Sequence, residues 1–255
     1  MSGHSKWSTI KHQKGAADAK RGALFTKLSR DLALAVRDGG GGDPDMNFRL
    51  RLVIDKARSS NMPADSISRA IKRGSGEGGD SVDNLEEITY EGYGPGGGAI
   101  LLQAVTSNRN RAAAEIRSTF NKGGGSLGES GCVAWNFETW GVITLGVPND
   151  DRGEELGLLA IDSGAEEIDM DDGVLEIHTP PDKLRDVKQV LENESVTLDS
   201  AEISMVPKST VALDAQQAEQ TLKLLDSLEE LEDVQKAFTN ADFPSDVLEK
   251  YQSES

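Results

Sequence analysis

The sequence predicts an α+β multidomain protein: an N-terminal three-helix bundle followed by two ferredoxin-like α+β domains, one inserted in the other. Three observations carry this. Apolar residues before position 74 recur at helical spacing, and after position 85 short apolar strands alternate with helical stretches. The glycine-rich run GSGEGGDS (Gly74–Ser81) separates the two regimes. Charge divides at the same place, with a net of +8 over residues 1–76 and −25 over residues 77–255, in a chain of 255 residues at −17. The expected domains are 1–76, a basic arm and helical bundle; 77–132 plus 207–255, a discontinuous α+β domain; and 133–206, an inserted α+β domain that holds enough elements to close a sandwich alone.

From Ala16 to Asp38, Leu24, Phe25, Leu28, Leu32, Ala35 and Val36 share one helical arc, while Lys20, Lys27, Arg30 and Arg37 share another. Gly39–Gly42 with Asp43-Pro44 ends that helix. A second helix over Asn47–Ser60 has apolar groups on several sides, as a central helix does, and Pro63 opens a third, Ala64–Arg73, with Arg69, Lys72 and Arg73 exposed. Beyond the glycine run, ITYEGYG and GGAILLQAVT read as paired strands and Arg109–Lys122 as a helix. VAWNF and WGVITLG read as a hairpin. Helices are expected at Asp150–Ser163, Asp182–Glu194 and Ala215–Leu231. Strands are expected at EEIDM, VLEIH, Ala201–Val206, Thr210–Leu213 and Val234–Thr239.

The first thirty residues hold Lys6, Lys11, Lys14, Lys20, Arg21, Lys27 and Arg30 against the single acid Asp18, with Trp7, His4 and His12 among them. Ammonium groups that displace counterions from phosphates, beside an indole able to stack on a base, suit a polyanion. The bland alternative is a solvated tail. Asn108-Arg109-Asn110-Arg111 begins a helix, where free N–H groups with Arg109 and Arg111 could hold a phosphate; its alternative is an N-cap with exposed arginines. The acidic remainder is a solvated surface that also steers nucleic acid toward the basic end.

Motifs that mimic catalysis lack their context. Gly92, Gly94 and Gly97 satisfy G-x-G-x-x-G, but the run leads into a strand, so a turn is the better reading. Gly124–Gly128 matches G-x-S-x-G, yet it follows a helix. Three scattered histidines and one cysteine, Cys132, give no recognisable zinc site, and Asp169, Asp171 and Asp172 lack the spacing of a calcium loop. No enzyme, metal or cofactor is therefore expected. One cysteine excludes an internal disulfide and fits a reducing compartment. No apolar run approaches the roughly 20 residues of a membrane span, and STIKHQKG stands where a signal peptide needs an apolar core. The expectation is a soluble, cytoplasmic protein with no membrane partner, monomeric for want of any sign of a two-fold.

GHSKWSTIKHQKGAADAKRGALFTKLSR, NMPADSISRAIKRGSG, YEGYGPGGGAILLQAVTSNRNRAAAEIR and SGCVAWNFE, in this order, resemble the YebC/PmpR family. That family includes the mitochondrial translational activators of cytochrome c oxidase subunit I. The resemblance spans roughly the first 140 residues by motif and the rest by order of elements. It implies a non-enzymatic regulator of gene expression, described in the family as a DNA-binding transcriptional regulator, with translation on messenger RNA or the ribosome as the alternative. Residue physics leans toward irregular RNA, since there is no convincing helix-turn-helix. A protein-interaction scaffold that uses its basic arm as a strap is a third class.

If the serine and histidine motifs are fortuitous, Ser126→Ala and His178→Ala leave regulatory activity at its wild-type level. A specific loss in either variant, with an unchanged circular dichroism spectrum, would restore a catalytic reading.

Overall fold

The computed structural model describes residues 18–77, 84–171 and 173–253. Helix α1 (Asp18–Asp38) buries Leu28, Leu32, Ala35 and Val36, the predicted arc. Helices α2 (Phe48–Ser59) and α3 (Ala64–Gly74) close a core around Leu50, Ile54, Ala57, Met62, Ile67 and Ala70. Each fully buried Leu or Ile stabilises such a core by about 1.5–3 kcal/mol. Asn47 makes the α1–α2 corner. Its Oδ1 accepts the Leu50 N–H at 3.0 Å, while Nδ2 donates to the carbonyls of Ala35 (2.7 Å) and Gly41 (2.9 Å). One buried amide thus caps α2 and takes up carbonyls at and beyond the end of α1.

The first sheet has the order β3-β1-β2-β9. Strand β1 (Glu86–Tyr93) pairs antiparallel with β2 (Ala99–Thr106), from Glu86↔Thr106 to Tyr93↔Ala99. The turn between them uses Gly96 and Gly97 at positive φ, so the G-x-G-x-x-G run is a hairpin turn. Helix α4 (Arg109–Lys122) buries Ala112, Ile116 and Phe120, and β3 (Ser126–Leu127) then pairs with β1. The fourth strand, β9 (Val234–Thr239), arrives only after the second sheet is complete. β2 is buried on both faces along most of its length, which explains its nearly continuous apolar sequence.

The second sheet is built from β4 (Phe137–Gly146), β5 (Glu167–Asp171), β6 (Val174–Thr179) and β7 (Ser200–Pro207), in the order β5-β6-β4-β7. Helix α5 (Asp150–Asp162) follows β4 and α6 (Leu184–Asn193) follows β6, giving βαββαβ, the ferredoxin-like arrangement expected. Both helices pack on one face: a Cβ on Gly157 would meet Ile168, and one on Gly141 would meet Leu184. The hairpin expected over VAWNF and WGVITLG is instead a short 3-10 turn, Ala134–Asn136, leading into the single strand β4. The Asn136 side chain turns the backbone there by donating to the Ser209 carbonyl and accepting from the Ser209 N–H and hydroxyl, so the run cannot pair with itself.

After β7, β8 (Val211–Ala212) pairs in parallel with β10 (Ala241–Asp242), and between them run α7 (Ala215–Glu230) and β9. A last helix, α8 (Ser245–Ser253), was not expected from the sequence; Pro244 and the Val247/Leu248 pair were its signals. The described chain forms two compact units, 18–132 with 220–237, and 133–219 with 238–253. The inserted sheet belongs wholly to the second. The helical bundle and the first sheet share one unit.

Gly92 admits β3: a Cβ there would lie 2.5 Å from the Ser126 carbonyl oxygen and 2.8 Å from the Phe120 ring. Gly92→Ala is expected to cost about 1–3 kcal/mol in urea unfolding, because a backbone atom must move. Wild-type stability would show that β3 yields freely.

Candidate nucleic-acid interface

The cations predicted on the basic arm and α1 fall into two groups. Lys6, Lys11 and Lys14, with Trp7 among them, lie outside the described residues, Lys20 sits in the first turn of α1, and Arg21 is exposed. Lys27, Arg30 and Arg37 are engaged within the fold. Lys27 Nζ donates to the Glu229 carbonyl. Arg30 donates to the Glu232 carbonyl at 2.8 Å and pairs with the carboxylates of Glu232 and Asp233. Arg37 donates to the Leu85 carbonyl at 2.7 Å and chelates Asp38, whose carboxyl its hydrogen bond holds below the ordinary value.

Arg111 Nη2 reaches both oxygens of Asp233, at 3.1 and 2.8 Å, and this hydrogen bond raises the Arg111 pKa. The Thr106 hydroxyl donates to the same carboxylate at 3.0 Å. Asp233 is 2 % exposed, so the cluster neutralises a buried charge. Asn108 Oδ1 caps α4 by accepting the Arg111 N–H at 3.1 Å. The helix start that could have held a phosphate therefore has an internal cap and an internal carboxylate; of its arginines, Arg109 is 68 % exposed and pairs with Glu86 at 3.0 Å.

On α3, Arg69 is exposed and leans on its own helix, donating to the Asp65 carbonyl (3.3 Å) and the Ser66 hydroxyl (3.1 Å). Lys72 is exposed beside it, and Arg73 reaches the Ser29 carbonyl at 3.1 Å while its buried Nε lacks a hydrogen-bond partner. α2 contributes cations that the sequence reading did not single out. Arg49 pairs with Glu87, Arg51 with Asp45 at 2.7 Å, and Arg58 is exposed at the helix end. Treating α2 as a buried central helix hid them. On α1, Asp31 is buried enough to push its carboxyl pKa up, against the pull of Lys56, Lys236 and Arg49.

Two family models cover nearly the whole chain: the TACO1/YebC N-terminal domain over residues 5–77, and the TACO1/YebC second and third domain over residues 85–241. The chain belongs to the TACO1/YebC family. A probable transcriptional regulatory protein of Dehalococcoides mccartyi is 56 % identical over 255 residues, covering both chains completely. One of Moorella thermoacetica is 52 % identical, covering 98 % of this chain and 99 % of its own. A conserved hypothetical protein of Aquifex aeolicus, known from a crystal structure, superimposes with a TM-score of 0.81 at 44 % identity, over 92 % of this chain and 96 % of that one. Among the described residues no cluster of three or more His, Cys, Asp or Glu could hold a metal ion. No described helix is long and apolar enough to cross a membrane.

Removing the buried carboxylate leaves Arg30 and Arg111 without their shared partner. Asp233→Ala should lower unfolding free energy by about 3 kcal/mol, whereas Arg109→Ala, on an exposed pair, should change it by less than about 1 kcal/mol. Equal effects in urea titrations would remove Asp233 from its central role.

Proposed function

We propose that this protein is a non-enzymatic, nucleic-acid-binding regulator of gene expression whose basic segment and bundle anchor it to phosphates. The observation that carries the reading is the net +8 of residues 1–76 in a chain at −17. Such a reversal aims one end of the molecule at a polyanion and turns the rest away. The names of the relatives, probable transcriptional regulatory proteins, support a role in gene expression.

Because Lys27, Arg30, Arg37 and Arg111 serve the fold, the anchor is assigned to Lys6, Lys11, Lys14 and Lys20, with Arg69 and Lys72 on the exposed side of α3. Arg73 and Arg109 are flanking contacts at most, since each has an internal partner. A second reading, RNA or the ribosome, is favoured by α3 itself. A recognition helix presents its N-terminal residues to base edges, and here that end carries Pro63 and the acid Asp65. Trp7 among lysines fits a looped or single strand better than a duplex.

Fluorescence anisotropy against salt, with duplex DNA and with a single-stranded or looped RNA, tests both readings. Each phosphate contact contributes about 0.7–0.9 log units of affinity per log unit of salt. Lys6→Glu, Lys11→Glu and Lys14→Glu together should flatten that slope and weaken all sequences alike. Trp7→Ala should cost about 1–3 kcal/mol on the RNA and little on the duplex. Affinity indifferent to salt would sink the anchor, and equal Trp7 losses on both probes would argue against stacking.

A further inference from the structure

The outer flank of the second sheet gathers apolar surface that the fold leaves in water. Among the described residues six large hydrophobic side chains are exposed, and three of them, Leu158 (65 %), Ile161 (39 %) and Ile168 (42 %), come from α5 and β5. The packing of the two elements puts them together. Gly153 and Gly157 let α5 lie directly on β5, since a Cβ on the first would meet Met170 Sδ at 2.2 Å and one on the second Ile168 Cδ1 at 2.7 Å. Arg152 points to the opposite flank of the helix, where it pairs at 3.2 Å with Glu194, just past α6. At about 100° per residue, Ile161 and Leu158 therefore turn away from α6, toward the outside of β5. β5 is the outermost strand of its sheet, and among the described residues no strand lies beyond it.

The strand has two unlike faces. Ile168 and Met170 look toward α5, whereas Glu167, Asp169 and Asp171 alternate onto the other face. Over residues 150–171 nine acids stand against one cation, Arg152, a net of −8. Carboxylates here have neighbours of their own: Glu155 pairs with Arg152, and Glu167 lies 3.8 Å from His178 Nδ1. What selects a partner is the summed field, not any one group in want of a counter-ion. Charges on an outer strand guard it against pairing with like strands. A second copy of the chain would set Glu167, Asp169 and Asp171 against the same acids, which destabilises a strand pair. A basic strand meets no such barrier.

We propose that β5 is a docking edge for an extended, basic segment of a partner protein, one that alternates apolar residues with lysine or arginine. Added beside β5 as a fifth strand, the segment gains main-chain hydrogen bonds along the edge and specificity from its alternate side chains. Its apolar residues cover Ile168, Ile161 and Leu158, and its cations lie over the acidic face. The same field turns nucleic acid away from this surface, so the docking holds whether or not the bundle binds phosphates.

A short synthetic peptide alternating lysine and valine, added to the full-length chain, tests this by hydrogen–deuterium exchange and fluorescence anisotropy. Expected is exchange over residues 166–171 slowed roughly 10-fold near saturation. Leu158→Gln/Ile161→Gln, at exposed helix positions, should weaken peptide binding roughly 10-fold. Glu167→Lys should weaken it roughly 3-fold, with an unchanged circular dichroism spectrum in both variants. Failure of the lysine–valine peptide to bind overturns the docking altogether. Binding that leaves exchange over 166–171 unchanged overturns strand addition. Equal affinity for a peptide with serine in place of valine rules out the apolar stripe, and equal affinity for one with glutamate in place of lysine rules out selection by charge. A concentration-dependent dimer in sedimentation velocity, lost in Leu158→Gln/Ile161→Gln, would make a second copy the occupant instead.

Discussion

The Asp233 carboxylate is the constraint around which the larger unit is built. It follows α7 directly, at the entry to β9, and accepts from Arg30 of the bundle, Arg111 of α4 and Thr106 at the end of β2. Its own carbonyl accepts the Val105 N–H at 2.8 Å, so backbone and side chain fix the same point. A buried carboxylate is tolerable only with several donors, and here each donor comes from a different element. The four pieces must therefore be in place together. This explains why the bundle and the first sheet form one compact unit despite the glycine-rich run between them in the sequence.

The same interaction marks the limit of what the sequence discloses. Helical spacing located α1, α2 and α3 almost to the residue, and apolar runs located the strands of both sheets except the two-residue β3, because burial demands a period that composition records directly. The role of individual cations was less legible. Lys27, Arg30 and Arg37 fall on one helical arc whether they face solvent or partners within the fold, which for Lys27 and Arg30 are supplied two hundred residues later. Periodicity reports which side of a helix is polar, and nothing in it reports what meets that side. Arg111 illustrates the same blindness from the other end, since its helix start resembles a phosphate site and is completed by Asn108 and Asp233.

The hairpin assigned to VAWNF and WGVITLG failed for a different reason. Both runs have strand composition, but Asn136 is buried and spends its amide on Ser209, a residue 73 positions away. A local pattern cannot anticipate a long-range hydrogen bond that converts one strand into a turn. By contrast, the glycine motifs were readable because each needs a specific flanking element, and that element is absent from the sequence itself.

The interrupted sheet also sets a schedule for the growing polypeptide. β2 leaves one edge without a neighbour until β9 is made, and the whole second sheet is synthesised in between. At ribosomal rates of about 5–20 residues per second, that interval is on the order of ten seconds. During it the inserted sheet can complete its own four strands, whereas the apolar run AILLQAV waits with an open edge. The nascent chain thus passes through a period when its most aggregation-prone segment is unprotected, and the arrival of Asp233 with β9 ends it.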